Sequence, residues 1–301
     1  MTTAADRPAT SPTTTLNSLA LELTGGCQLT CAHCLSSSSP QGTHGTMSLV
    51  DWAQVIQDAV ALEAPRIQLI SGEPTLHPHW VELVDLALSL GRQVEVFTNL
   101  FHVRPAWWEV FARDGVTLAT SYYSDRAAEH DRLTTRLGSH VRTRANIAEA
   151  HRRGIPLRVG IVEVLDGQRV HEARAEIDGM GITEVGTDRV RAVGRAAGTM
   201  PPTVDALCGH CGRGHAAVLP NGDLVPCVMA RFMPCGNVRE RRLADLLGSE
   251  PWRQAVDRVP APGAQGCNPP CEPNDSCKPH TPACLPKFTA APFDASQDGA
   301  Q

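Results

Sequence analysis

Leu21-Glu-Leu-Thr-Gly-Gly-Cys27-Gln-Leu-Thr-Cys31-Ala-His-Cys34 places three cysteines at Cys-x3-Cys-x2-Cys spacing directly after an apolar run. A loop of this kind, set after the first strand and before the first helix, can put three thiolates on three irons of a [4Fe–4S] cube. The fourth iron is then left without a protein ligand, open to chemistry. Three clustered cysteines can also be half of a zinc site, which stands as the alternative.

Around this loop, from Ser18 to Gly194, short apolar runs alternate with helix-period segments, the pattern of repeated βα units and a parallel sheet. Strands are predicted over 19–23, 66–70, 93–98, 116–122, 157–164 and 184–190. A first helix is predicted from Ser48 as N-cap, with Leu49, Trp52, Ala53, Ile56, Ala59 and Val60 on one face. A second carries Trp80, Leu83, Val84, Ala87 and Leu90. Six βα units fit an α/β fold of the open, partial (β/α)6 barrel type, in which chemistry sits at the C-terminal strand ends, where the loop 27–34 falls. Residues 195–205 read as a linker, and 206–288 hold eight of the eleven cysteines, a small C-terminal Cys-rich module. The stretches 1–17 and 289–301 have little to bury and are expected to be disordered.

The chain has 301 residues and a net charge of −5, with no long Lys/Arg block, so neither nucleic acid nor an anionic lipid surface is an expected partner. No run approaches the ~20 apolar residues of a membrane span, and the start lacks a signal peptide, so a cytoplasmic location is expected. Eleven cysteines in a reducing compartment argue for metal rather than disulfides.

The Cys27–Cys34 motif resembles that of the radical S-adenosylmethionine (SAM) enzymes. The resemblance implies that SAM chelates the open iron through its amino and carboxylate groups and is reductively cleaved to a 5′-deoxyadenosyl radical. An electron donor such as flavodoxin or ferredoxin is implied with it. At the second strand's end, Leu69-Ile-Ser-Gly-Glu-Pro74 looks like the family's Gly-Gly-Glu-Pro turn, with Ser71 in place of the first glycine. The resemblance assigns Ser71, Gly72, Glu73 and Pro74 to SAM, with the Glu73 carboxylate on its ammonium. It also carries over to Ser121 and Arg136, with Arg132 as a rival, for the SAM ribose and carboxylate. If the strand assignments hold, Asn99 and Glu163 point toward the same mouth.

The C-terminal module contains Cys211-x10-Gly222-x4-Cys227 around Leu219-Pro-Asn-Gly-Asp-Leu224, an Asn-Gly hairpin signal. Cys267-x3-Cys271-x5-Cys277-x6-Cys284 follows. The module resembles the SPASM/twitch extension of radical SAM enzymes, which implies one or two auxiliary [4Fe–4S] clusters with Cys208, Cys211, Cys227, Cys267, Cys271, Cys277 and Cys284 as candidate ligands. The usual Cys-x2-Cys-x5-Cys-x3-Cys spacing differs, and zinc held by Cys208-x2-Cys211 is the alternative. Cys235, in Phe232-Met-Pro-Cys-Gly-Asn237, stands outside both runs. A lone cysteine is usually a small buried hydrophobe. A thiol facing a carbon radical can instead deliver a hydrogen atom.

Three functions follow from these residues. The first is an epimerase of an aminoglycoside-type natural product with Cys235 as hydrogen donor, resembling the radical SAM epimerases of that chemistry. The second is a maturase making C–C, ether or thioether cross-links, or epimers, in a ribosomally made peptide. That class is expected to carry an N-terminal peptide-recognition domain of roughly 80 residues, or a separately encoded one, and a barrel starting by Ser18 weakens the peptide reading without excluding it. The third is a zinc-stabilised binding protein without chemistry.

Overall fold

A computed structural model describes residues 16–261. Eight strands form one sheet: β1 (Ser18–Glu22), β2 (Arg66–Ile70), β3 (Gln93–Phe97), β4 (Val116–Ser121), β5 (Leu157–Glu163), β6 (Val185–Arg189), β7 (His215–Val218) and β8 (Leu224–Val225). The helices are α1 (Leu49–Ala61), α2 (Trp80–Ser89), α3 (Trp107–Phe111), α4 (Ala127–Thr134), α5 (Ser139–Arg152), α6 (Val170–Gly179), α7 (Leu243–Leu247) and α8 (Glu250–Arg258). The strand order is β6-β5-β4-β3-β2-β1-β7-β8, and β1 to β6 pair in parallel, each beside its sequence neighbour. This is the open barrel predicted from the βα alternation, with strand ends within two residues of those ranges.

Alternation along the strands explains the two faces. Leu19, Leu21, Ile67, Leu69, Val94, Val96, Leu118, Val159 and Ile161 point to the helices and share one core with Trp52, Ile56, Leu83, Val84, Ile147 and Ile177. Helix α1 begins in the predicted place because Ser48 and Asp51 form a reciprocal capping box. The other face carries a small apolar patch of Ala20, Ile70, Ala217, Leu219 and Val225. The alternating positions also leave Glu22, Gln68, Glu95 and Arg158 on that face.

The sheet does not stop at six strands. Strand β7 runs parallel to β1, with Leu21 opposite Val218, and β8 returns antiparallel from the Asn221-Gly222 turn. An open barrel exposes the N–H and C=O groups of its first strand, and β7 satisfies them. The predicted hairpin is therefore part of the barrel sheet. Helix α7 is tied to α1 through Asp58, which accepts the Leu243 N–H at 2.9 Å and pairs with Arg242. Residues 195–205, expected as a linker, include short 3-10 turns at Gly194–Ala197 and Val204–Ala206. Among the described residues no helix is long and apolar enough to cross a membrane. The expectations for 1–15, for 262–301 and for Cys267, Cys271, Cys277 and Cys284 lie outside the described residues.

Candidate active site

The cysteine loop is shaped by its own backbone before any ligand enters. Gly26 N–H donates to Thr24 Oγ1 at 2.8 Å, Gly25 N–H to Thr43 O at 2.8 Å, and Cys27 N–H to Ser39 O at 2.9 Å. From the far side, Ala32 N–H donates to Leu133 O at the end of α4. Amides also point at two sulfurs: Leu29 N–H reaches Cys27 Sγ at 3.4 Å and Ser38 N–H reaches Cys34 Sγ at 3.3 Å. The Asn99 side-chain amide lies 3.6 Å from Cys27 Sγ. Burial, with the Glu73 charge adding, pushes the Cys27 thiol up to about 12. Burial and the two neighbouring cysteines push Cys31 up as well. Such thiols give up their protons when a cationic metal core takes them, and the N–H donors are already placed to support the resulting thiolates. Among the described residues no three His, Cys, Asp or Glu side chains close on a point that would hold a single metal ion. The donor set, three soft sulfurs with amide support, fits an iron–sulfur cube.

The Ser71-Gly72-Glu73-Pro74 turn packs onto this loop. Ser71 and Gly72 both have left-handed φ, +74° and +57°. A Cβ on Gly72 would lie 2.3 Å from Gly26 O and 2.6 Å from Thr24 O, so only glycine allows this approach. The Glu73 carboxylate, 1% exposed, accepts from Thr75 N–H at 3.2 Å, Thr75 Oγ1 at 2.8 Å and Asn99 N–H at 2.9 Å. Thr98 bonds it too, while burial pushes its carboxyl up. The carboxylate caps the turn beginning at Pro74 and ties it to the end of β3, which fixes its position beside the cysteine loop. The Ser71 hydroxyl is buried without a hydrogen-bond partner among the described residues.

Of the remaining predicted residues, Asn99 sits against the cysteine loop, accepting from Gln28 at 3.2 Å. Ser121 ends β4 and is hydrogen-bonded to Tyr123, whose buried ring lies near Cys31. Arg136 is exposed and stacks on Phe101, which packs with Cys27 and Leu29. Arg132 is exposed as well. Glu163 ends β5 in the same alternation as Val159 and Ile161 and pairs with Arg189 at 3.0 Å.

Two residues near the loop were not singled out in the sequence. His33 packs edge-on to Tyr123 at 4.8 Å, and burial, with Arg195 adding, pushes its imidazole down to about 4. Its place inside Cys-Ala-His-Cys was a usable signal. Arg195 bonds the loop's backbone from a segment read as linker, and no local signal marks it.

In the C-terminal region, Cys211 is hydrogen-bonded to both Cys208 and Cys227, which brings three predicted ligands together. The bond from Cys211 pushes Cys208 and Cys227 down. Met229 and Ala230 N–H groups also point at Cys227. Cys235 is elsewhere. It is 1% exposed, its thiol donates to Met233 O at 3.3 Å, and it belongs to the same apolar core as Leu224, Leu243 and Leu246. Burial pushes it up to about 11. Cys235 thus sits in the position of a small buried hydrophobe.

A parallel open barrel with a three-cysteine loop at its strand ends defines an enzyme of the radical SAM fold. The Radical SAM superfamily profile matches residues 21–175, and the chain belongs to that superfamily. SPASM, an iron-sulfur cluster-binding domain, matches residues 208–278. The cofactors that follow are a [4Fe–4S] cluster with SAM, and auxiliary Fe–S clusters in the SPASM domain. The chain is 31% identical to a PqqA peptide cyclase of Ruegeria pomeroyi over 47% of its own length and 38% of the relative. It is 34% identical to the mycofactocin maturase MftC of Mycobacterium ulcerans over 44% of its length and 34% of the relative. The chain thus spans well under half the length of these relatives. Streptococcus suis SuiB bound to SAM shares the fold, with a TM-score of 0.67 and 14% identity over 81% of this chain and 68% of that one.

Proposed function

We propose that this chain is a radical SAM maturase that modifies a ribosomally made peptide, forming a cross-link or an epimerised residue. One observation carries the reading: a SPASM segment continues the sheet of a radical SAM barrel directly beside the cysteine loop. Peptide cyclase and maturase relatives support the same reading. Cys27, Cys31 and Cys34 would hold the catalytic cluster, which supplies the electron that cleaves SAM. The turn 71–74 and Asn99 shape the wall beside it, with Ser121 and Arg136 on the adjoining side. Cys208, Cys211 and Cys227 would hold auxiliary iron together with cysteines from 267–284. The division into a barrel over 18–194 and a cluster module over 206–288 belongs to this proposal, as does a flavodoxin- or ferredoxin-type electron donor.

The substrate would meet the strand face opposite the helices. There Glu95 is held by Gln68 and, through a bidentate pair at 2.7 and 2.8 Å, by Arg158. Glu22 pairs with Arg231 from the SPASM segment. The partly exposed guanidiniums of Arg158 and Arg231 suit a peptide's carbonyls and acidic side chains. The aminoglycoside epimerase required Cys235 at the substrate, and its core position gives that reading no support.

The test is to incubate anaerobically reconstituted protein with SAM, dithionite and the short peptides encoded beside its gene. Expected is 5′-deoxyadenosine together with a peptide that has lost two hydrogens, or gained deuterium from deuterium oxide. Turnover of aminoglycosides with no change in any peptide would overturn the proposal.

A further inference from the structure

We propose that Arg195 is a positioning residue that straps the cysteine loop in place and, through its charge, raises the reduction potential of the cluster bound there. Gly194 presses the chain onto the loop: with φ +56°, a Cβ there would lie 2.4 Å from Cys34 O and 2.2 Å from Leu35 O. Arg195 N–H then donates to Cys34 O at 2.9 Å. Its guanidinium divides between Cys31 O and Ser38 O, the latter at 2.7 Å. One residue thus spans the loop from its second cysteine to the residues beyond its third. The end of α4 holds the opposite side, with Thr135 Oγ1 donating to Thr30 O at 2.7 Å.

These side-chain bonds go to backbone carbonyls, which carry no charge to neutralise the guanidinium. Its bonds to Cys31 O and Ser38 O hold that charge against the loop. Reduction adds a negative charge to the cluster, and a fixed cation nearby stabilises that form. The planar fork matters separately from the charge, since Nη1 and Nη2 present donors to the two carbonyls at a fixed spacing that a single lysine nitrogen does not reproduce.

The experiment compares reconstituted wild type, Arg195→Met and Arg195→Lys by EPR-monitored redox titration and by hydrogen exchange of residues 27–38. Arg195→Met should shift the midpoint potential of the SAM-binding cluster to more negative values and speed exchange across 31–38 several-fold. Arg195→Lys should speed exchange to a similar degree while keeping the potential near that of wild type. If Arg195→Met fails to retain this cluster, Arg195→Lys decides: slow, wild-type exchange overturns the strap, and a potential as negative as that of an Arg195→Gln variant overturns the role of charge. Unchanged potential and exchange in Arg195→Met would overturn both.

Discussion

The backbone N–H of Glu73 donates to the carbonyl of Gly26 at 2.9 Å, joining the turn after the second strand to the loop that carries Cys27. The side chain of the same residue binds Asn99 N–H, and Asn99 in turn touches the Cys27 sulfur. Turn, loop and the end of β3 are therefore one hydrogen-bonded unit, so a change in any of them is felt at the cysteines.

Gly72→Ala should be severe. The new methyl meets two backbone oxygens that cannot rotate away, and alanine resists φ +57°. A loss of about 3 kcal/mol or more is expected, with loss of SAM binding. Gly91→Ala is the control, because its φ is +73° but open space surrounds it, and about 1 kcal/mol is expected. Chemical denaturation of the two variants checks the contrast.

Cys27→Ala, Cys31→Ala and Cys34→Ala should each abolish 5′-deoxyadenosine formation while the circular dichroism spectrum stays native. The triple variant should still bind iron through the C-terminal cysteines. Cys235→Ala should retain SAM cleavage and lose about 1–2 kcal/mol of stability from a packed core. Loss of iron from Cys235→Ala would make it a ligand.

Glu22 is 0% exposed, and one of its oxygens has no hydrogen-bond partner among the described residues, so Arg231 is what neutralises it. Arg231→Met should cost about 3–5 kcal/mol by leaving that carboxylate buried and uncompensated. Glu22→Gln in the same chain should recover much of the loss, read as the coupling in a double-mutant cycle.

His130 lies among Tyr122, Tyr123 and His140, and burial, with His140 adding, pushes its imidazole down to about 4. In the unfolded chain the group titrates near 6.5. Between those values the unfolded state binds the additional proton. The stability from neutral His130 is thus complete above about pH 6.5 and is lost as pH falls toward 4. From pH 7.5 to 5 the loss is about 2 kcal/mol at 1.36 kcal/mol per unit. Urea midpoints for His130→Phe should fall correspondingly less than those of wild type over that range.

The six parallel strands, the first two helices and the cysteine loop were legible because their signals are local. Period two and period 3.6 are set by neighbouring residues, Ser48 announces the α1 cap, and three thiolates at Cys27, Cys31 and Cys34 have few other uses after a strand. The partner of Glu163, Arg189 on the next strand, was not legible, because a cross-strand ion pair depends on register. Glu73 was recognised as a site residue, and its near partner Thr75 stands two residues on, but its bond to Asn99 spans 26 residues and was not legible.

The class of fold and the chemistry of its principal loop are written in the amino-acid order, since periodicity, capping and cysteine spacing act within a few residues. Only the tertiary structure decided that β7 covers β1, pairing Ser18 with His215, and that Thr98 and Asn99 occupy the Glu73 carboxylate. It also decided that Cys235 is packed in apolar core and that Arg195 reaches Cys31 across 164 residues. A carboxylate, thiol or guanidinium looks the same in a sequence whether its partner is protein or ligand. The partner is chosen when burial makes an unsatisfied group costly and the fold brings one particular donor or acceptor within reach.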